Sequence, residues 1–154
     1  MLKKAGAEPA GVFAQSSMRI EKQFLAYGLD LDTDLDPFEA GLSFAIRMRK
    51  KNDLPFIGQE ALRMKYGNCD KEIARQAQRL FSIAFHSKNV FPMGNEPVYV
   101  SNSNSTFQAI GKTTSAGFGY RVDKPIAIVL SDNNSIATEE FQPGSTVNVK
   151  IGAK

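Results

Sequence analysis

Across 154 residues the sequence has no tryptophan, one cysteine and one histidine. The lone Cys69 cannot close an intrachain disulfide, the cysteine usage of a reducing compartment. With His86 as its one histidine, the chain cannot assemble a closed Cys/His zinc site by itself. Long apolar runs are also missing, and none approaches the roughly 18 residues a membrane span requires. The opening Met1-Leu2-Lys3-Lys4-Ala5-Gly6 is basic. Glu8, Pro9 and Gly11 then interrupt the chain before the apolar core of a secretory signal can form.

What is present has the balance of a soluble globular chain. Apolar residues make up 42% and charged residues 23%, which excludes collagen-like, low-complexity and disordered classes. The length suits one domain or two small ones. The net charge of +3 is uneven: residues 1–88 hold 14 basic and 11 acidic side chains, the remainder 5 and 5. That excess is too small for the electrostatic footprint of a nucleic-acid binder. The expectation is a cytoplasmic protein that engages neither nucleic acid nor membrane.

From Ala10 to Tyr27 the apolar pattern is helical, with Phe13, Ile20, Phe24 and Tyr27 on one stripe. A second stripe runs through Ala14, Met18, Glu21 and Leu25. Two stripes predict a largely buried helix, and Gly28 is placed to cap it. Asp30, Asp32, Asp34 and Asp36 then alternate before Pro37. Leu42, Phe44 and Ile46 predict a strand over 41–48 that ends in the basic cluster Arg47, Arg49, Lys50 and Lys51. A short helix is expected over 59–66, stopped by Gly67 and Asn68.

Beyond a polar stretch the pattern changes. Phe81, Ile83 and Phe85 alternate as in a half-buried strand. Short β-like runs at 98–100, 125–130 and 147–151 lie between turn signals at 102–105, 132–134 and Pro143-Gly144. The class is α+β, mixed in the first half and all-β in the second, with a boundary near residues 70–75.

Most local motifs fail on their own chemistry. The alternating aspartates offer oxygens at positions 1, 3 and 5 of a calcium loop, but Leu35 stands where its glycine belongs and Gly41 where its bidentate glutamate belongs. A solvated acidic turn is the expectation. Gly111-Lys112-Thr113 lacks the earlier glycine of a phosphate-binding loop, since position 106 is Thr106. Ser115-Ala116-Gly117-Phe118-Gly119 precedes no helix and is no dinucleotide fingerprint. Both are read as β-turn glycines. His86 has no visible nucleophile elbow and is read as structural. The 47–51 cluster is either a solvated strand end or a site for an anionic ligand.

Glu21 is the most informative residue. Its helical neighbours Ser17, Met18, Phe24 and Leu25 include no base. A carboxylate on an apolar stripe needs a donor from elsewhere, either a tertiary partner such as an arginine or a ligand.

The run Ser17-Met18-Arg19-Ile20-Glu21-Lys22-Gln23-Phe24-Leu25-Ala26-Tyr27-Gly28, followed by Asp30, resembles a segment of the glycine-cleavage T-protein (aminomethyltransferase) family. The likeness is closest to the branch fused to dimethylglycine and sarcosine dehydrogenases. It continues through 37–44 and 56–62, then Ile110-Gly111-Lys112-Thr113-Thr114-Ser115, Lys124-Pro125-Ile126-Ala127 and Pro143-Gly144. The blocks keep the family's order and cover nearly the whole chain.

This resemblance implies residues 1–72 as the C-terminal part of a folate-binding aminomethyltransferase domain and residues 73–154 as a small antiparallel β-barrel domain. It implies tetrahydrofolate as cofactor and one-carbon transfer from an aminomethyl or N-methyl amine donor. Glu21 takes the position of the family's pterin-binding glutamate. The family's ligand-binding arginine aligns to Lys50, whose ammonium keeps the charge without the planar fork, and Arg49 lies beside it. The cofactor-binding set implied is therefore Glu21, Arg49 and Lys50, with no catalytic residue, because the family's proton-managing aspartate belongs to an N-terminal region ahead of this chain. The implied partners are the folate ligand and that N-terminal part or a partner chain, with self-association through an apolar cut face. The implied compartment is cytoplasm, or the mitochondrial matrix in a eukaryote. The rival reading is a non-catalytic interaction or regulatory module of the same fold. A plain supporting β domain is a third reading, and no flavin fingerprint is present.

Overall fold

A computed structural model of the chain describes residues 2–46, 55–67, 79–101, 107–132, 144 and 146–151. Its centre is strand β4 (Lys124–Ser131), in which the consecutive residues Pro125 to Val129 are all buried. Such a continuous apolar run is what a strand covered on both faces requires. β4 pairs antiparallel with β1 (Leu80–Ala84) on one side and with β3 (Phe107–Gly119) on the other. β2 (Pro97–Ser101) and the two-residue β5 (Asn148–Val149) complete a five-stranded sheet in the order β1-β4-β3-β2-β5. All pairings are antiparallel, and the α+β class holds.

Among the described residues the sheet is open, since β1 and β5 are not paired. It nonetheless curls. Val98, Ile110 and Val129 form one buried cluster, and the edge strands meet it from both sides through Phe81 and Ile83 and through Val149. The opposite face carries Ile126 and Ile128, which pack with Ile20, Ala40 and Leu80. Each fully buried aliphatic side chain in these clusters contributes roughly 1.5–3 kcal/mol. The second cluster joins residues of the N-terminal half to the sheet, so the described parts of both halves share a core. The boundary expected near 70–75 lies outside the described residues.

Helix α1 runs from Val12 to Glu21 and lies across β3 and β4. It approaches β3 closely at Gly117, where a Cβ would sit 3.4 Å from Ser17 Oγ and 3.5 Å from Ile20 Cδ1. The helix is shorter than the 10–27 pattern predicts, and only Ile20 is buried in it. One side rests on the sheet, whereas Val12, Phe13 and Met18 are exposed. The cap is not Gly28. The Phe24 amide donates to the Arg19 carbonyl (2.8 Å) and the Gln23 amide to the Ile20 carbonyl (2.9 Å), a Schellman closure with Gln23 at φ 56°. Helix α2 (Gln59–Tyr66) forms as expected and ends at Gly67 (φ 63°). It seats Leu62 and Tyr66 against Phe38 and Ile46.

Two expectations are corrected. Residues 41–46 are turns and a single 3-10 turn (Ser43–Ala45), not a strand. The Asp36 carboxylate accepts from the Phe38 and Glu39 amides, and the Ala40 and Leu42 amides bond back to the Asp36 and Pro37 carbonyls, which winds the chain instead of extending it. Residues 47–48 of that expected strand lie outside the described residues. Gly111 and Gly117 are not turn glycines but interior residues of β3, and Gly119 is its last residue. At Gly111 a Cβ would stand 2.1 Å from the Leu130 carbonyl oxygen, so the strands approach where no side chain fits.

Candidate functional site

Glu21 is the last residue of α1, directed at the turn between β3 and β4. Its Oε1 accepts from the Arg121 amide (2.8 Å) and the Val122 amide (3.1 Å). The sequence left a tertiary arginine or a ligand as its partner. The partner found is backbone, and the Arg121 side chain plays no part in the contact. Among the described residues Oε2 has no hydrogen-bond partner. The side chain is half-buried, and the exposed Tyr120 stands on the same turn with its ring edge-on to Phe118 at 5.2 Å. A half-buried carboxylate with one oxygen fixed can still accept from N–H or O–H donors on the other.

Behind Glu21 lies a network that the reading of single motifs missed. Arg19 Nη1 donates to Asp30 Oδ2 (2.7 Å), and Nη2 donates to Ser115 Oγ (2.8 Å). Thr114 Oγ1 donates to Asp30 Oδ1 (2.6 Å), and the Ala26 amide donates to Oδ2 (2.9 Å). Thr114 and Ser115 reach the same cluster because the register shifts between Thr113 and Ser115: Thr113 pairs with Val129 and Ser115 with Ile128. Thr114 is thus the extra residue of a β-bulge, a device that re-aims side chains. Burial opposes ionisation of Asp30, but bonds from Ser115, Thr114 and the Ala26 amide, with the Arg19 charge, hold its carboxyl below the usual range. The signal was present in the sequence, since the 17–30 and 110–115 blocks contain all four side chains. What it did not show is that the blocks meet.

The alternating aspartates accordingly divide. Asp30 is 2% exposed, so the solvated acidic turn is corrected there. Asp36 is half-buried, accepting from Lys65 Nζ (2.8 Å) and the Tyr66 hydroxyl (2.7 Å). Asp32 and Asp34 remain exposed. Burial favours the protonated Asp36, but Lys65 and Tyr66 outweigh it and keep its carboxyl low. Burial and the Asp36 contact push the Tyr66 phenol up to about 12. Among the described residues no group of three His, Cys, Asp or Glu side chains is placed to hold a metal. His86 is exposed. Arg49, Lys50 and Cys69 lie outside the described residues, and among the described residues no helix is long and apolar enough to cross a membrane.

Comparison with known proteins adds to this geometry. Residues 2–50 match the GCVT N-terminal domain, and residues 78–154 match the glycine cleavage T-protein C-terminal barrel domain. The chain belongs to the glycine cleavage T-protein family. It is 30% identical to human mitochondrial dimethylglycine dehydrogenase over 149 residues, 97% of this chain and 15% of that protein. It is 31% identical to the aminomethyltransferase of Prochlorococcus marinus (strain NATL1A), over 97% of this chain and 35% of the relative. A third relative, mouse mitochondrial pyruvate dehydrogenase phosphatase regulatory subunit, is 31% identical over 97% of this chain and 16% of its own length. The chain therefore spans a third or less of the length of most of the relatives it matches.

Proposed function

We propose that this chain is the C-terminal part of a tetrahydrofolate-dependent aminomethyl-transfer enzyme, and that Glu21 accepts hydrogen bonds from the amino-pyrimidine edge of the pterin. The observation that carries this reading is the Glu21 carboxylate itself, with Oε1 held by two backbone amides and Oε2 without a partner among the described residues. Tetrahydrofolate, when bound, supplies the nucleophilic nitrogen that takes up the one-carbon unit. The chain's own residues bind and orient. Glu21 fixes the ring, the Arg19–Asp30 pair fixes the backbone on either side of it, and Arg49 with Lys50 supplies positive charge for the ligand's carboxylate tail.

Proton handling and the amine donor belong, on this reading, to an N-terminal region or partner chain. Val12, Phe13, Met18, Phe24, Tyr27 and Leu29 are all exposed within the stretch that matches the N-terminal family domain. We place that partner's contact among these residues, because large apolar side chains left in water gain by burial against a partner. In isolation the same exposed side chains favour self-association. The compartment is soluble, cytoplasm or mitochondrial matrix.

The test is reconstitution. The region that precedes the matching stretch in the Prochlorococcus aminomethyltransferase is added to this chain, and methylene transfer to tetrahydrofolate is measured. Transfer that depends on both pieces, and falls at least tenfold with Glu21→Ala, is the expected result. Transfer unchanged by Glu21→Ala removes Glu21 from the site.

A second reading is a non-catalytic regulatory module of the same fold. It is favoured by one observation, that the regulatory subunit matches this chain at the same identity as the aminomethyltransferase. It predicts no folate affinity and a stable protein partner in pull-downs.

A further inference from the structure

The Tyr120–Asp123 turn does more than join two strands. It is the sole described holder of the Glu21 carboxylate, through two main-chain donors that only a proline substitution would remove. The arrangement depends on the residue just before it. Gly119 is buried, and a Cβ there would come within 3.2 Å of Glu21 Oε1, 3.2 Å of Ile126 Cδ1 and 2.7 Å of Val122 Cγ2. A side chain there would have to displace the Val122 methyl and shift the Glu21 carboxylate by a few tenths of an ångström. The other end of the side chain is fixed too, because the Schellman closure and the Arg19–Asp30 bond pin the last turn of α1.

Both donors fall on Oε1, and that has a chemical consequence. An oxygen that already accepts two charge-assisted bonds has little capacity left, whereas Oε2 has no partner among the described residues. A bidentate pairing that uses both oxygens equally would require the turn to let go.

We infer that the Tyr120–Asp123 turn is a positioning element for Glu21, clamping Oε1 through its amides so that ligand is received on Oε2 alone, with Gly119 as the residue that permits the clamp. This rests on the proposed role of Glu21 in ligand binding. It adds the element that sets the carboxylate's orientation and the one-sided way the ligand is held.

The test separates the clamp from the ligand. In the purified chain without folate, the Arg121 and Val122 amide protons are compared by NMR between the native protein and Glu21→Gln. Both are expected to move upfield in the variant while the β1–β4 amides stay in place, because a neutral acceptor bonds more weakly than a carboxylate. If they do not move, there is no clamp and the inference is overturned, whatever folate does. A stable reduced folate is then titrated. The two amides are expected to keep their downfield positions at saturation, and their collapse would show that the ligand displaces the turn, which also overturns the inference.

Gly119→Ala combined with Val122→Ala relieves the side-chain clash and leaves the new Cβ against the carboxylate. Folate affinity is expected to fall at least tenfold in this double variant, with the melting temperature near that of Val122→Ala. Native affinity in the double variant contradicts the positioning role. If instead Glu21→Gln binds folate as the native chain does while the amides still shift, the clamp stands and the ligand-binding reading of Glu21 is what fails.

Discussion

Arg19 and Asp30, eleven residues apart, form an ion pair at 2.7 Å in which the Asp30 side chain is fully buried and Arg19 is 16% exposed. The pair ties the end of α1 to the loop that follows it. Thr114 and Ser115, 84 and 96 residues away from their partners, tie both to the sheet. A partly satisfied buried charge is costly, and this one is satisfied from four directions.

Asp30→Asn is therefore expected to destabilise the chain by about 3 kcal/mol, because it strips the partner from a nearly buried guanidinium. Thr114→Val should cost about 1.5 kcal/mol for one bond to a charged acceptor. Urea unfolding measures both. A double variant that costs less than the sum of the two would show that they act on one network.

The same carboxylate sets an acid limit. Asp30 and Asp36 titrate below their ordinary value of 3.8 in the folded chain. A depressed folded value means that the unfolded state binds the proton first. The stabilisation is thus complete above about pH 4–5 and is lost as pH falls through the folded values. Melting temperature followed from pH 6 to pH 2 should drop steeply, and the drop should be shallower in Asp30→Asn.

An alkaline limit comes from α2. The Tyr66 phenol is raised from 10.0 to about 12 by burial and by its bond to Asp36, with Lys65 opposing. Folding favours its protonated form, so this contribution is present below pH 10 and is lost between pH 10 and about 12. Tyr66→Phe should be less stable than the native chain at pH 8 and should show a flatter decline above pH 10.

Backbone geometry makes two opposite predictions. Gln23 occupies the left-handed position of the α1 Schellman closure at φ 56°, where glycine is unstrained. Gln23→Gly is expected to stabilise by about 0.5–1 kcal/mol, the relief of a non-glycine residue from that region less its gain in unfolded-state freedom. Gly111→Ala would drive a Cβ into the Leu130 carbonyl at 2.1 Å and break the β3–β4 pairing. Its expected outcome is loss of soluble folded protein, read by circular dichroism and gel filtration.

The parts of the fold legible in the sequence are those whose pattern has one cause. β4 is an unbroken apolar run because both faces are covered, and α2 is bracketed by turn glycines. β3 was not legible, because the property that lets it pass under α1 and beside β4 is small size, and a run of Gly, Ser, Thr and Ala looks like turns. The end of α1 was not legible either, since Gln23 takes the cap position that glycine usually marks. At the site, Glu21 stood out for lacking a local base, but backbone amides a hundred residues away leave no trace in composition. The roles of Asp30 and Asp36 are set by tertiary partners, so four alternating aspartates look alike until the chain is folded.

The most direct measurement is a calorimetric titration of the purified chain with a stable reduced folate, run beside Glu21→Gln. Saturable binding by the native chain that weakens at least tenfold in the variant is the predicted result, and it places the pterin on Glu21. Equal binding by both proteins, or none by either, contradicts a pterin held by Glu21 in this chain.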